Sequence, residues 1–259
     1  MARASSKYLL HEWYVISLRP LGEHAAVRRA ARQLGAATFA ISTLQLQPLA
    51  AGNALRQALR CARVVVTSPA AARHAHDQVA LSQRPGQQWF ALGVGTAAAL
   101  HRCGIARVLL PARGSDSEAL LARPELQSLA GEEVALITAP GGRGLLARHL
   151  QARGAHLQLA EVYCRQPQPP RAARLRALQA LPATSALLLT SSEAFAVLWQ
   201  ALDATARVRL RQFPCVTSSP RLRQQAQALG FSTVLQALDT RPASLLAALA
   251  AHVQARGFR

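Results

Sequence analysis

The chain repeats itself weakly, and this repeat limits the possible architectures more than any other feature. Three blocks, each offset by about 120 to 126 residues, recur in the same order along the chain. The blocks pair as Trp13–Gln47 with Glu133–Pro167, Val64–Ala70 with Leu187–Glu193, and Trp89–Ile105 with Phe213–Phe231. Three matches in order are seldom produced by chance, so the sequence predicts two similar lobes.

Short apolar runs alternate with helical patterns, which is typical of an α/β fold with mainly parallel sheets. A helix is expected from Glu23 to Leu34, with Gly35 ending it. The expected strands are Trp13–Leu18, Ala37–Ser42, Arg63–Thr67, Trp89–Leu92, Arg107–Leu110, Val134–Thr138, His156–Val162, Ala186–Thr190, Cys215–Thr217 and Thr233–Leu235. The fold class predicted is therefore α/β, with two similar lobes that each hold a parallel sheet flanked by helices.

Two Gln/Pro-rich stretches are candidates for a two-stranded linker that joins the lobes. They occupy residues 44–49 and 164–170. Proline ends regular pairing and stiffens a connection. Because the chain crosses twice, one lobe is expected to be discontinuous, and a cleft between lobes is a natural place for a ligand.

The composition is that of a globular chain, with 51% hydrophobic and 16% charged residues among 259. No apolar run reaches the roughly 20 residues that span a bilayer, and no signal-peptide core follows the start, so a cytoplasmic location without membrane contact is expected. Its four cysteines (Cys61, Cys103, Cys164 and Cys215) lie far apart, which favours reduced thiols over a zinc or redox site.

The charge is strongly basic, with 30 Lys+Arg against 12 Asp+Glu and a formal net charge of +18. Lys7 is the only lysine, so arginine supplies the excess. Two readings stay open, namely compositional drift and an anionic partner such as a polycarboxylate. Nucleic acid is disfavoured as a partner, because the arginines are scattered and only 5% of residues are aromatic.

Several motifs fail on inspection. Gly93-Val94-Gly95 follows a strand, but Ala98 replaces the third glycine of a dinucleotide-binding loop. His74 and His76 lie near Asp77 without further matching ligands, so no metal is expected. Neither a phosphate-binding GxxxxGK[ST] motif nor a GxSxG nucleophile motif is present.

Other motifs resemble, in order and spacing, those of the uroporphyrinogen-III synthase family. They are Arg19-Pro20, Thr67–Ala70 with its counterpart Thr190–Glu193, Gly93–Thr96, Gly141–Arg143, Arg153–Ala155 and Glu161–Tyr163. The resemblance runs from about Trp13 to about Val253. It implies one lobe of about 1–46 with 169–259 and a second of about 50–163.

The resemblance also implies an activity that needs neither a metal nor an organic cofactor. The family's substrate is hydroxymethylbilane, a linear chain of four pyrroles with acetate and propionate arms. Loss of its terminal hydroxyl gives an azafulvene, and the ring closes through a spiro intermediate that inverts the terminal pyrrole. A monomeric lyase is expected, and a polycarboxylate substrate gives the basic charge a specific cause.

By this resemblance Tyr163 is the candidate proton donor, against the alternative that its ring packs between lobes and its hydroxyl caps a backbone group. Hydroxyls at strand-to-helix turns can bind carboxylates or serve as ordinary helix caps, and both readings stay open. The candidate substrate-binding residues are Arg19, Ser68, Thr96, Gly142, Arg143, Ser191, Ser192 and Ser219. Leu222 departs from the family pattern, because a hydroxyl is expected there. A non-catalytic paralogue that binds a ligand is therefore the alternative.

Overall fold

The computed structural model describes residues 9–112, 114, 116–141 and 144–257. In chain order the elements are β1 (Tyr14–Ser17), α1 (Ala25–Gln33), β2 (Ala37–Ala40), β3 (Leu44–Pro48), α2 (Gly52–Ala58), β4 (Arg63–Val66), α3 (Pro69–Gln78), β5 (Gln88–Ala91), α4 (Val94–Arg102), β6 (Val108–Leu109), α5 (Ser117–Leu121), β7 (Glu133–Thr138), α6 (Leu145–Ala152), β8 (His156–Glu161), β9 (Tyr163–Pro167), α7 (Ala172–Gln179), β10 (Ser185–Leu189), α8 (Ser192–Ala201), α9 (Ala204–Gln212), β11 (Cys215–Thr217), α10 (Pro220–Ala228), β12 (Val234–Gln236) and α11 (Pro242–Gly257).

These elements form two units. Unit 1 contains the chain up to Gln45 and from Gln166 onward, and unit 2 is Leu46–Arg165. Each unit is built on a five-stranded parallel sheet with helices on its faces, so the predicted α/β fold is confirmed. Among the helices of the described residues, none combines the length and apolarity that crossing a membrane requires.

The sheet of unit 1 has the strand order β12-β11-β10-β1-β2. Its strand β1 pairs with β10 on one side and β2 on the other, with Ser17 opposite Leu188 and Ala40. Val15 and Ile16 point to opposite faces, and both are fully buried. This two-sided burial explains why these strands read as continuous apolar runs.

The sheet of unit 2 has the order β6-β5-β4-β7-β8. The matched blocks of sequence fall on equivalent strands, because β7, β8, β4 and β5 take the positions that β1, β2, β10 and β11 take in unit 1. The two orders are therefore the same arrangement with the chain permuted. In unit 1 the repeated β-α-β block opens the chain, whereas in unit 2 the block closes the unit.

The two-stranded linker is formed by β3 and β9, which pair antiparallel. The sequence places Tyr163 at the end of a strand, but the structure places it first in β9. Val162 lies between β8 and β9 and bonds to both neighbouring segments. Its N–H donates to Thr138 O at 3.0 Å, and its carbonyl accepts from Leu49 N at 3.1 Å. The chain leaves the sheet of unit 2 at this residue and begins to pair with β3.

Candidate functional site

Tyr163 lies at the carboxyl end of β8 in unit 2, where its side chain is buried. Its phenolic oxygen is 3.1 Å from Ser68 Oγ, and either hydroxyl can donate. Ser68 follows β4 and is the N-cap of α3, accepting a hydrogen bond from Ala71 N at 3.0 Å. Two residues that the sequence predicted separately, Tyr163 and Ser68, are thus directly bonded.

His74 packs against one face of the Tyr163 ring. Its imidazole stacks on the Tyr163 ring, with a centroid separation of 5.2 Å and an interplanar angle of 21°. Gln78, one turn later on α3, donates to Val162 O at 3.2 Å and accepts from Ala51 N at 2.9 Å. The helix is therefore tied to the chain immediately before Tyr163. Sequence reasoning weighed His74 only as a metal ligand and missed this contact, although its place two turns after the Ser68 cap was a usable signal.

A second pair of hydroxyls lies at the same edge of the sheet. Thr67 follows β4 and donates to the Oγ1 of Thr138, the last residue of β7, at 2.9 Å. The carboxyl ends of parallel strands meet at one edge, which is where open α/β sheets bind ligands. Unit 2 thus gathers four hydroxyl groups, those of Thr67, Ser68, Thr138 and Tyr163, at the carboxyl edge of its sheet.

The equivalent place in unit 1 keeps the cap and lacks the phenol. Ser191 follows β10, is the N-cap of α8, and accepts from Ala194 N at 3.2 Å. Thr43, 120 residues before Tyr163, is fully buried and donates to Ala194 O at 2.7 Å. The threonine therefore satisfies a backbone carbonyl, whereas the tyrosine meets another hydroxyl.

The remaining hydroxyls of the prediction take different positions. Ser192 donates to Gln225 Oε1 at 2.7 Å, and Ser219 is the N-cap of α10. Thr96 was expected to be a turn residue that could cap α4, but it is the third residue of that helix and is buried. Gly93 is the N-cap residue of α4 instead. Leu222 is likewise the third residue of its helix and belongs to the hydrophobic core of unit 1, 3% exposed. Packing thus explains the leucine at that position.

Arg19, predicted from the turn after β1, is half-buried and donates through Nη2 to Thr240 O at 3.2 Å. Burial lowers the pKa of its guanidinium, and the charge of Glu23 opposes that effect. Gly142 and Arg143 lie outside the described residues.

Unit 1 contains a buried histidine that the sequence analysis did not single out. His24 is the residue before α1, and its Nδ1 is 3.0 Å from the Oγ of Ser17, the last residue of β1. Its Nε2 is 2.9 Å from the Oγ of Ser42, which follows β2. Burial, with the charges of Arg28, Arg19 and Arg174, lowers the pKa of His24 to about 4. The imidazole is therefore neutral at neutral pH.

A cluster of histidine, cysteine or acidic side chains that suits a metal ion does not occur among the described residues.

The chain matches known proteins in both sequence and fold. The family model described as Uroporphyrinogen-III synthase HemD matches residues 25–247. The protein named uroporphyrinogen-III synthase of Salmonella typhimurium is 33% identical over 193 residues, which are 72% of this chain and 77% of that protein. Its namesake of Escherichia coli is 32% identical over 166 residues, which are 62% and 66% of the two chains.

Two solved structures share the fold at low sequence identity. Uroporphyrinogen-III synthetase of Helicobacter pylori aligns with a TM-score of 0.59 and 16% identity, over 95% of this chain and 99% of that one. A substituted form of uroporphyrinogen III synthase of Thermus thermophilus gives 0.58 and 18%, over 94% and 99%.

Proposed function

Because the chain belongs to the uroporphyrinogen-III synthase family, we propose that it closes hydroxymethylbilane to uroporphyrinogen III with inversion of the terminal pyrrole. The reaction eliminates water and forms a ring, so the enzyme is a hydro-lyase. The observation that carries the proposal is the Tyr163–Ser68 hydroxyl pair at the carboxyl end of the unit 2 sheet. Domain assignment is part of the proposal: lobe one is about 1–46 with 169–259, and lobe two is about 50–163.

Tyr163 is proposed as the proton donor to the departing hydroxyl. The phenol gives its proton to the substrate oxygen, the carbon–oxygen bond breaks, and water departs. The electron-rich pyrrole that remains is the azafulvene. Ser68 can rotate its hydroxyl to donate to the resulting phenolate, since its cap interaction with Ala71 N uses only a lone pair. The proton lost from the attacking pyrrole carbon when the ring closes can then restore the phenol.

His74 is proposed to fix the plane of the phenol. A ring stacked on one face of Tyr163 and a hydroxyl bonded to its oxygen leave the side chain few other orientations. A fixed donor needs no reorganisation when charge develops, which is a general source of rate enhancement.

Substrate binding is proposed for Arg19, Ser68, Thr96, Ser191, Ser192 and Ser219, and for Gly142 and Arg143, which lie outside the described residues. Ser68, Ser191 and Ser219 support it best, because each caps a helix whose N-terminal N–H groups attract anions. The +18 charge fits a substrate that carries several carboxylates.

The deciding experiment is turnover of enzymatically generated hydroxymethylbilane, with the product isomers oxidised and resolved by chromatography. We expect mainly the type III isomer, in excess of the type I isomer that forms without enzyme. Type I alone would overturn the proposal and favour the non-catalytic paralogue. The comparisons give that alternative no support, and the burial of Leu222 removes the sequence feature that motivated it.

A cytoplasmic monomer without nucleic-acid or membrane partners completes the proposal. Gel filtration with light scattering and fractionation of cells test these two properties. A dimer in solution or recovery with membranes would contradict them.

A further inference from the structure

The neutral imidazole of His24 in unit 1 is bordered by arginines. Arg174 of α7 donates through Nε, at 2.9 Å, and through Nη2 to the carbonyl oxygen of Ala40, the last residue of β2. Its guanidinium lies 3.7 Å from the centroid of the Phe39 ring. Ala40 pairs in register with Ser17, whose hydroxyl contacts His24. Arg174 is therefore anchored at the strand end beside the imidazole.

Arg28 brings a second exposed cation to the same place. It lies one helical turn after His24, and its N–H donates to His24 O at 3.0 Å. Burial and, after it, the charge of Arg28 lower the pKa of both Arg174 and His24, so the two guanidinium groups repel each other. Arg19, two residues beyond Ser17, adds a third positive charge that acts on His24.

In the described part of the chain, the negative charges near this place act on Arg19 and Arg241. Glu23 acts on Arg19, and Asp239 forms an ion pair with Arg241 at 2.6 Å. Beneath the arginines, the uncharged hydroxyls of Ser17 and Ser42 occupy both nitrogens of His24. Glu23 opposes the charge of Arg19, but Arg174 and Arg28 still repel each other, and a bound anion relieves that repulsion. Ser17 and Ala40 lie at the carboxyl ends of the parallel strands β1 and β2, and His24 lies at the N-terminus of α1. Both kinds of position favour anions.

We propose that Arg174 and Arg28, beside the His24–Ser17–Ser42 cluster, form a subsite for a carboxylate group. Two N–H groups of Arg174 are taken by Ala40 O, and the others of its five can donate to a carboxylate. The proposal rests on the proposed function only for the identity of the ligand, which is then one acetate or propionate arm of hydroxymethylbilane.

The test compares Arg174→Gln with a matched control, Arg207→Gln. Arg207 is also an arginine in unit 1 that lies over an aromatic ring, 5.4 Å from the centroid of Trp199, and donates to a backbone carbonyl, Trp199 O, at 3.0 Å. Both variants lose one charge, one ring contact and the hydrogen bonding to one backbone carbonyl, through two N–H groups of Arg174 and one of Arg207. Circular dichroism and thermal unfolding establish that both remain folded, and Arg174→Lys serves as a second variant that keeps the charge.

The probe is tricarballylate, a small tricarboxylate, titrated by calorimetry at low salt. We expect binding that is about tenfold weaker in Arg174→Gln, partly restored in Arg174→Lys and unchanged in Arg207→Gln, since one charge-assisted bidentate contact is of that size. The NMR signal of the His24 ring, assigned with His24→Gln, should shift on titration in the unmodified protein and not in Arg174→Gln. Equal binding by all variants, a silent His24 signal, or binding of inorganic phosphate alone would overturn the proposal.

Turnover separates the two hypotheses. If the type III isomer forms, Arg174→Gln should raise KM severalfold and leave kcat and the isomer ratio unchanged. If only the type I isomer forms while tricarballylate still depends on Arg174, the proposed function fails and the carboxylate subsite stands. A fall in kcat with unchanged KM would contradict the subsite and leave the cyclase intact.

Discussion

The two units share one sheet arrangement and differ in what they place at the same edge of it. In unit 2 the cap Ser68 meets the phenol of Tyr163, which stacks on His74. In unit 1 the cap Ser191 has Thr43 as its neighbour, and Thr43 bonds to the backbone of α8.

The reverse holds for the buried imidazole, because the positions 120 residues after Ser17, His24 and Ser42 are Ile137, Gly144 and Val162. The repeated scaffold thus carries a phenol bonded to a serine hydroxyl at this edge in unit 2, and a buried imidazole with arginines nearby in unit 1. The repeated fold therefore determines which positions lie at this edge of the sheet, while the residues at equivalent positions determine the chemical groups that are present there. Each of the following experiments alters one of these differences.

The largest expected effect is a loss of stability in acid that comes from His24. Its pKa is about 4 in the folded protein against 6.5 for an unperturbed histidine, so below pH 6.5 the unfolded chain binds a proton that the folded chain does not. The stabilisation is complete above pH 6.5, and roughly 3 kcal/mol is lost as the pH falls to 4. Urea unfolding of the unmodified protein and His24→Gln over this range checks it. Parallel pH profiles for the two proteins would show that His24 is not the cause.

Next in size is the effect of placing a threonine at Leu222, which gives unit 1 the residue that unit 2 has at Thr96. Because Leu222 is 3% exposed in the core, Leu222→Thr should lower the free energy of unfolding by about 2 kcal/mol or more. Turnover per folded molecule should not rise. A gain in turnover with unchanged stability would mean that the first turn of α10 contacts the substrate and that a hydroxyl at position 222 improves this contact.

Tyr163→Phe removes the hydroxyl that distinguishes the edge of unit 2. We expect kcat for type III formation to fall by about tenfold, less than full general-acid catalysis supplies, because positioning of the substrate remains. Thr43→Val is the matched control: it removes the equivalent hydroxyl of unit 1, costs about 1–2 kcal/mol of stability and leaves kcat unchanged. Similar kinetic losses in both variants would remove the asymmetry on which the assignment of Tyr163 rests.

The smallest effects separate the two caps. Ser68→Ala and Ser191→Ala each lose one N-cap bond and should each be destabilised by about 1 kcal/mol. Only Ser68 also contacts Tyr163, so Ser68→Ala should lower kcat a few fold, whereas Ser191→Ala should affect KM alone. Thermal unfolding and steady-state kinetics measure both quantities. A lowered kcat in Ser191→Ala would place chemistry in unit 1 as well.

Much of the fold could be predicted from local pattern. Each expected strand of the two sheets, from Trp13–Leu18 to Thr233–Leu235, overlaps an observed one, because two-sided burial leaves an apolar run bounded by turn residues. The caps at Ser68 and Ser191 were expected from hydroxyls at strand-to-helix turns, whereas Ser219 was named only as a substrate-binding candidate and is also a cap.

The rest depended on tertiary structure. Nothing in the sequence around His24 shows that Ser17 and Ser42 will contact its two nitrogens, since Ser42 becomes a neighbour only when β1 and β2 pair. The stacking of His74 on Tyr163 likewise joins residues 89 positions apart. Thr96 was expected in a turn, but the helix begins at Val94, so Thr96 lies within its first turn and is buried.

The permuted order of the repeat has a consequence for biosynthesis. In unit 1 the strand β1 pairs with the central strand β10, joining Tyr14 to Ser185, whereas the corresponding pair in unit 2 joins Val134 to Arg63. A ribosome that makes the chain from its N-terminus completes unit 2 while the β1-α1-β2 segment still lacks its second partner strand. That segment must wait with one apolar strand edge open until Ser185 has been translated, and unit 2 is the part of the molecule that can fold first.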